Sequence, residues 1–230
     1  MLFDLEYKKL TEMGIAGSKE ATAVIIEQNS GDWFGIRCGL ITASNAALIV
    51  TATGKRAKGK TRDGYIYGLV AEKLTRTIES GHSTLAMERG TMLEPQARNW
   101  YRFESGREVQ EVGFVYTDAA RQSGCSPDGL CADRGLEIKC PLRKNSVAFV
   151  LSMKKTGKVP IEHAAQVQFQ MWVTGLTLVD FVVFNPENAI PSAMVTVEKD
   201  EKYHAMLDEC IPEACAEIAE AVALLEEGAE

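Results

Sequence analysis

The stretch of sequence that decides the fold is SPDGLCADRGLEIKCP, residues 126–141. Two short apolar segments flank a polar turn, a pattern that predicts a β-hairpin. If Asp133 and Arg134 centre the turn, Asp128 lies opposite Lys139. Alternate residues of a strand share a face, so Asp128, Glu137 and Lys139 are expected to project to the same side. The hairpin then gathers two carboxylates and one ammonium group on one surface.

These side chains have the chemistry of a cation site. Asp128, Glu137 and the main-chain carbonyl of Ile138 offer hard oxygen ligands, which Mg²⁺ prefers. Lys139 on the same face could orient a water molecule for attack on phosphorus. A solvated strand face with weak surface ion pairs is the alternative interpretation, and the spacing alone does not decide between them.

Helical and strand patterns alternate along the rest of the chain. Helices are predicted at 18–28, 45–50, 63–78, 92–104, 161–173 and 201–226, and strands at 109–116, 127–131, 136–140, 178–184 and 193–197. This order predicts an α/β or α+β fold with a central mixed sheet flanked by helices. The glycine-rich breaks are too short for domain linkers, so residues 1–230 are expected to form a single domain with residues 1–30 at its periphery.

Composition narrows the class of protein. The chain has 230 residues, 46% of them hydrophobic, and a formal net charge of −7. No apolar run approaches the length of a membrane span, and the first nine residues lack the apolar core of a signal peptide, so a cytoplasmic protein without membrane contact is expected. The net charge argues against non-specific coating of nucleic acid, although it leaves room for a local basic channel.

The six cysteines contain no C-x-x-C pair. Reduced, mostly buried thiols are the expected state, as in a cytoplasm. Cys125, Cys131 and Cys140 lie close in sequence, but no histidine or further cysteine completes a zinc spacing. Neither zinc nor an organic cofactor is predicted.

The Pro-Asp of residues 127–128 followed by Glu-x-Lys at 137–139 resembles the PD-(D/E)xK nuclease motif. The wider segments CSPDGLC and GLEIKCP are similar to the alkaline exonucleases of the bacteriophage lambda type. Arg37 followed by GLITAS (39–44), AQVQ (165–168), MWVT (171–174) and EKDEKY (198–203) match the same family in the same order. The resemblance runs from about residue 33 to 218, the expected exonuclease core, and implies a restriction-endonuclease-like fold.

The resemblance implies a role for each residue of the hairpin. Asp128, Glu137 and the Ile138 carbonyl would bind Mg²⁺, with Mn²⁺ as a second possibility, and Lys139 would position the attacking water. Glu94 matches an acidic residue that completes the site from a helix, against the alternative of a surface ion pair with the residue four positions later. Pro95 departs from the family pattern and is expected to start that helix.

Four further residues match family positions that bind the 5′ phosphate of a DNA end: Arg37, Ser44, Ser126 and Gln166. An arginine offers a planar fork of donors, and a serine at a helix N-terminus lies among backbone N–H groups that attract anions. A plain helix cap for Ser44 and a surface position for Arg37 are the structural alternatives.

Several residues are weaker candidates for DNA contact. The segment 55–62, which begins with Lys55 and Arg56, holds five cations, so it is expected either to grip DNA phosphates or to be a solvated loop. Met87 matches an apolar wedge of the family, with a core position as the equal alternative. The lysines at 154, 155 and 158 could line the DNA path, whereas His163 is expected to be structural.

The function that the resemblance implies is a Mg²⁺-dependent 5′→3′ exonuclease. It would degrade one strand of linear double-stranded DNA with 5′-phosphate ends to mononucleotides and leave 3′ overhangs for phage recombination. A homotrimeric ring and a single-strand annealing protein as partner are implied as well. The alternatives are a structure- or sequence-specific endonuclease and a non-catalytic DNA-end-binding module. The intact Asp128, Glu137 and Lys139 speak against the latter.

Overall fold

A computed structural model describes residues 5–78, 85–187 and 189–227. Nine strands, six α-helices and a short 3-10 helix (Ala43–Leu48) follow one another in this part of the chain. In chain order they are β1 (Glu6–Lys9), β2 (Thr22–Ile25), α1 (Gly31–Arg37), β3 (Ile41–Thr42), α2 (Lys60–Thr75), α3 (Leu85–Ser105), β4 (Phe114–Tyr116), β5 (Ser123–Cys125), β6 (Gly129–Leu130), β7 (Gly135–Lys139), α4 (Arg143–Thr156), α5 (Ile161–Thr174), β8 (Leu178–Val183), β9 (Ala193–Glu198) and α6 (Glu201–Glu227).

The strands form two mixed sheets. The five-stranded sheet has the order β1-β2-β4-β5-β3, and β3 pairs with β5 in parallel. The four-stranded sheet has the order β6-β7-β8-β9, and β7 pairs with β8 in parallel. The predicted α/β architecture with mixed pairing and flanking helices is confirmed, with its strands divided between two sheets.

Helix α5 is the central packing element. Its residues Ala165, Phe169 and Val173 belong to the main hydrophobic core, which they share with buried side chains of α6. Val167 and Met171 pack into a second cluster with β8. A helix that is apolar on more than one face is buried between neighbours, so α5 is fixed on both sides and can hold a side chain in place for a site.

The predicted hairpin is present with a different register. Gly129 pairs with Leu136, and the amide of Cys131 donates to the carbonyl of Arg134 at 2.8 Å. The turn is therefore centred one residue earlier than predicted, and the expected partners are wrong by two positions. A shift of two residues preserves the alternation of faces, so Asp128 remains on the side of the sheet that the sequence predicts.

Two predicted helix positions are wrong. Residues 22–25 of the predicted helix 18–28 form β2, where Thr22, Val24 and Ile25 are β-branched and favour an extended chain. Helix α3 begins at Leu85, and Pro95 lies inside it instead of starting it. Because proline has no N–H, the α3 ladder lacks one hydrogen bond at that point.

No helix in the three described ranges is long and apolar enough to cross a membrane.

Candidate active site

The β6–β7 hairpin positions the first carboxylate. The backbone amide of Ile138 donates a hydrogen bond of 2.6 Å to Asp128 Oδ2. The side chain of Glu137, one residue earlier on β7, is only 3% exposed. Strand β7 pairs with β8 on its other side, with Glu137 opposite Phe181. Both carboxylates are thus held by backbone pairing and not by side-chain rotamers alone.

Glu137 has two donors on one oxygen. Lys139 Nζ lies 2.6 Å from Glu137 Oε1, and Gln166 Nε2 lies 2.5 Å from the same oxygen. Lys139 follows on the same strand, whereas Gln166 comes from the central helix α5. The predicted catalytic lysine and a predicted phosphate-binding residue therefore meet at a single carboxylate.

Glu94 joins the site from α3. Its Oε1 accepts a hydrogen bond from Arg98 Nη1, and the same nitrogen donates to the main-chain oxygen of Asp128 at 3.2 Å. The ion pair is not on the surface, since the side chains of Glu94 and Arg98 are 24% and 12% exposed. The alternative of a solvated surface pair is wrong, and Arg98 is a residue that the sequence analysis did not place in the site.

The carboxylates interact electrostatically. Burial, followed by the charges of Glu137 and Glu94, raises the pKa of Asp128 well above its ordinary value. Burial also raises the pKa of Glu94, against the opposing effect of Arg98. Burial alone would lower the pKa of Lys139, but Glu137 and Asp128 outweigh it and leave that pKa raised. Lys139 is thus held as a cation, but its single positive charge does not balance the negative charges of the carboxylates around it.

This donor set fits a divalent cation by its chemistry, since buried carboxylates that repel one another are stabilised by one. In the described part of the chain, no three His, Cys, Asp or Glu side chains already converge closely enough to enclose a metal ion. Asp128, Glu137 and Glu94 are the groups whose charges interact, and Ile138 lines the adjoining cavity.

Two cavities, of about 470 and 570 Å³, adjoin the carboxylates. They share four lining residues at their boundary: Gln28, Asn29, Thr91 and Glu94. The Gln28 amide donates to the main-chain oxygens of Val112 and Pro127, both at 3.0 Å, which fixes this loop against the residue preceding Asp128. The segment before residue 31, expected at the periphery, thus supplies part of the wall. No motif in the sequence indicates this contact.

Two of the four predicted phosphate-binding residues, Arg37 and Ser126, contact Trp33 of α1. The guanidinium of Arg37 lies 3.7 Å from the centre of the Trp33 ring, and Trp33 Nε1 donates to Ser126 Oγ at 3.0 Å. Burial lowers the pKa of Arg37 to about 10, and its Nε is buried without a partner among the described residues. A surface position for Arg37 is therefore wrong. The four-residue spacing of Trp33 and Arg37 on one helix was the signal that could have identified Trp33.

Ser44 lies exposed in the 3-10 helix, with its Oγ 3.3 Å from Thr42 Oγ1. Thr42, not Ser44, is the cap residue of that helix. The alternative of a plain helix cap for Ser44 is therefore wrong, and its exposed hydroxyl is available to a ligand.

The weaker DNA-contact candidates differ in their surroundings. Lys55 is exposed, whereas Arg56 is held by Glu213 and, at 2.6 Å, by Glu209 of α6. Met87 is 62% exposed and lines the 470 Å³ cavity, so the core alternative for Met87 is wrong. The lysines at 154, 155 and 158 are exposed at the end of α4 and just beyond it.

His163 packs against the rings of Phe149 and Phe181, at 5.4 and 5.2 Å between centroids. Burial, followed by the charge of Lys139, lowers the pKa of His163 to about 4. A neutral imidazole between two aromatic rings agrees with the structural role expected for it.

A half-buried aspartate just before β6 and a buried glutamate on β7, with a lysine two positions after the glutamate, define a nuclease of the PD-(D/E)xK type. The sequence of residues 32–177 matches the YqaJ-like viral recombinase domain, and the chain belongs to that family.

Solved structures support the same assignment. An alkaline exonuclease (LHK-Exo) from Laribacter hongkongensis is 32% identical, with a TM-score of 0.75, over 87% of this chain and 98% of its own. Its complex with dAMP gives 33% identity, the same TM-score and the same coverage. A phage-related exonuclease from Haemophilus somnus shares the fold at 15% identity and a TM-score of 0.58, over 81% of this chain and 96% of its own. No curated protein sequence is significantly similar to the chain.

Proposed function

We propose that the protein is a Mg²⁺-dependent 5′→3′ exonuclease that degrades one strand of linear double-stranded DNA. The observation that carries this proposal is the grouping of Asp128, Glu137 and Lys139 with Glu94, which lines both cavities. Membership of a viral recombinase family and similarity to an alkaline exonuclease support DNA as the substrate. The dAMP bound to that relative supports mononucleotides as the product.

The residues divide the chemistry between them. Asp128, Glu137, Glu94 and the Ile138 carbonyl would hold Mg²⁺, or Mn²⁺ in its place. The metal would supply positive charge for the phosphate that is cleaved. Lys139, held as an ammonium group by Glu137, would orient the attacking water and stabilise negative charge that develops on the phosphate. The backbone pairing of β6 and β7 keeps these groups in place before the substrate arrives.

The 5′ direction rests on the four residues that match phosphate-binding positions. Arg37, Ser126, Ser44 and Gln166 would bind the terminal phosphate, and the buried Arg37 Nε without a partner provides a donor for an anion. Gln166 also touches Glu137, so the phosphate site and the carboxylate site are adjacent. A strand with its 5′ end in this site would place its first internal phosphate toward the carboxylates, which leaves a 3′ overhang on the other strand.

The test is degradation of matched DNA duplexes with and without Mg²⁺. A linear duplex with 5′-phosphate ends should be degraded to mononucleotides, faster than the same duplex with 5′-hydroxyl ends, and EDTA should stop the reaction. A covalently closed circle should remain intact. Cleavage of the circle would instead indicate an endonuclease, and binding of ends without cleavage would indicate an end-binding module.

The proposal extends to a homotrimer, a single-strand annealing partner and a location in the host cytoplasm. Exposed large apolar side chains on α3, with Phe103 at 86% and Met92 at 77%, support contact with another chain. The recombinase family supports the annealing partner. The six free cysteines, five of them buried, support a reducing compartment. Light scattering at micromolar concentration should give a mass of three chains.

A further inference from the structure

Arg98 connects two parts of the chain that carry carboxylates of the site. Its Nη1 contacts Glu94 Oε1 on its own helix and donates to the main-chain oxygen of Asp128, 30 residues away, at 3.2 Å. Its Nη2 lies 2.8 Å from Glu111 Oε2. One planar guanidinium thus fixes α3 relative to the start of the β6–β7 hairpin.

We infer that Arg98 is a positioning residue for the metal site, an inference that rests on the proposed function. Arg98 contacts Glu94 at one oxygen and leaves the other oxygen of that carboxylate for a metal ion. It also holds the main chain of Asp128, so it sets the separation of two ligands from different elements. Groups that hydrogen-bond metal ligands commonly change metal affinity by about 10–100-fold when they are removed.

The charges around Arg98 explain why an arginine is required. Glu94 and Glu111 approach the guanidinium directly, and Asp128 follows at its main-chain oxygen. A lysine has one nitrogen and cannot serve three acceptors in one plane. Without the guanidinium, Glu94 would face Asp128 and Glu137 with no counter-charge of its own, and the carboxylates would move apart.

Arg102 provides a matched control. It lies one turn further along α3 and contacts the same residue, Glu111, at 3.4 Å, as well as the main-chain oxygen of Val109 at 3.1 Å. Among the described residues, no hydrogen bond joins Arg102 to Glu94 or Asp128. Replacement of Arg102 removes a cation of equal charge from the same helix and leaves the site carboxylates connected.

The experiment is calorimetric titration of Mg²⁺ into the full-length chain without DNA, for the parent, Arg98→Met, Arg98→Lys and Arg102→Met. We expect Arg98→Met to weaken Mg²⁺ binding by at least 10-fold, Arg98→Lys to lie between it and the parent, and Arg102→Met to match the parent. Circular dichroism and thermal unfolding of each variant verify the fold. If Arg98→Met does not fold, Arg98→Lys carries the test, with at least 3-fold weaker binding expected.

Unchanged or tighter Mg²⁺ binding in a folded Arg98 variant would overturn the inference, as would equal weakening by Arg102→Met. Failure of the parent chain to bind Mg²⁺ would instead count against the proposed function, so the two failures are distinguishable. A second readout is the Mg²⁺ concentration for half-maximal cleavage. A positioning role raises that concentration in Arg98→Lys, and saturating Mg²⁺ restores most of the rate.

Discussion

The amide of Ile138 and the carboxylate of Asp128 are joined by a hydrogen bond of 2.6 Å that links the two arms of the β6–β7 hairpin. The bond fixes Asp128 Oδ2 on the backbone of β7, and Oδ1 takes no part in it. The residue before Ile138 supplies the second carboxylate, so one dipeptide both anchors the first acid and carries the second. The hairpin therefore holds both carboxylates of the candidate site.

This relationship makes Asp128→Asn an informative variant. The amide oxygen of asparagine can still accept the hydrogen bond from Ile138, so the fold should persist while the negative charge is lost. We expect cleavage of 5′-phosphorylated duplex to fall by about 10²–10³ or more, and Lys139→Ala to lose a similar factor. Asp133→Asn, in the exposed turn of the same hairpin, should retain activity. Parental rates in Lys139→Ala would contradict the assignment of the site.

Trp33→Phe separates the two functions of the Trp33 side chain. Phenylalanine keeps an aromatic ring under Arg37 but removes the Nε1 donor to Ser126 Oγ and to the Gly113 carbonyl. We expect a loss of about 1 kcal/mol of stability per hydrogen bond. We also expect a smaller rate difference between 5′-phosphate and 5′-hydroxyl ends.

Trp172→Phe is the control for this variant. Its Nε1 donates one exposed hydrogen bond to Asp208, away from the Trp33 group, so the variant should cost less stability and leave end preference unchanged. The measurement is the degradation rate of each variant on the 5′-phosphate and the 5′-hydroxyl duplex. An unchanged preference in Trp33→Phe would remove Trp33 from the phosphate site.

We expect the cations of the 55–62 segment to contact DNA only where they are not already paired with an acid of α6. Lys55 and Lys58 are exposed, whereas Arg56 and Arg62 form ion pairs with acids of α6. Each phosphate contact contributes about 0.9 to the slope of log binding constant against log salt. Replacing Lys55 and Lys58 with glutamine should lower that slope by about 1.8. Arg56→Gln should leave the slope unchanged and reduce thermal stability, which binding titrations and unfolding curves would verify.

The buried Asp180 provides a test of stability away from the site. It is 2% exposed and accepts hydrogen bonds from Tyr101, Arg134 and Thr196 at 2.7, 3.1 and 2.7 Å. Loss of one partner of a buried ion pair costs about 3–5 kcal/mol. Because Tyr101 and Thr196 remain as donors, we expect Arg134→Met to lower the free energy of unfolding by about 3 kcal/mol, as measured by denaturant unfolding.

Arg143→Met is the matched control, since its ion pair with Glu187 is exposed on both sides. Exposed pairs contribute less than about 1 kcal/mol. Equal losses of unfolding free energy in Arg134→Met and Arg143→Met would show that burial does not determine how much the Asp180 ion pair stabilises the protein.

Local patterns were sufficient for the hairpin but not for its register. Alternation in two strands determines which side chains share a face, and the observed turn on Ala132 and Asp133 keeps that parity. The choice between adjacent turn positions depends on packing against β8, which no local pattern contains. The nuclease class was predicted from the resemblance of several segments between residues 33 and 218, because the local spacing of Asp128, Glu137 and Lys139 does not decide it alone.

The remaining parts of the site depend on contacts between distant residues. Trp33 reaches Ser126 across 93 positions, and Gln28 reaches Pro127 across 99. Neither residue belongs to a motif that the sequence analysis used. Residues 22–25 show a related effect, because pairing with β1 and β4 makes them a strand where the local pattern indicates a helix.

The two parts of α3 on either side of Pro95 are buried to different extents. Beyond it, Ala97 and Tyr101 are completely buried, whereas none of the described side chains between 85 and 95 is buried. The half that carries Met87 and Glu94 therefore has less packing and lacks one backbone hydrogen bond. Segments of this kind open locally at lower free energy than the whole protein unfolds. Amide protons of residues 87–94 should consequently exchange with deuterium ahead of those of 98–105, so the half of α3 that carries Glu94 is its most readily opened part.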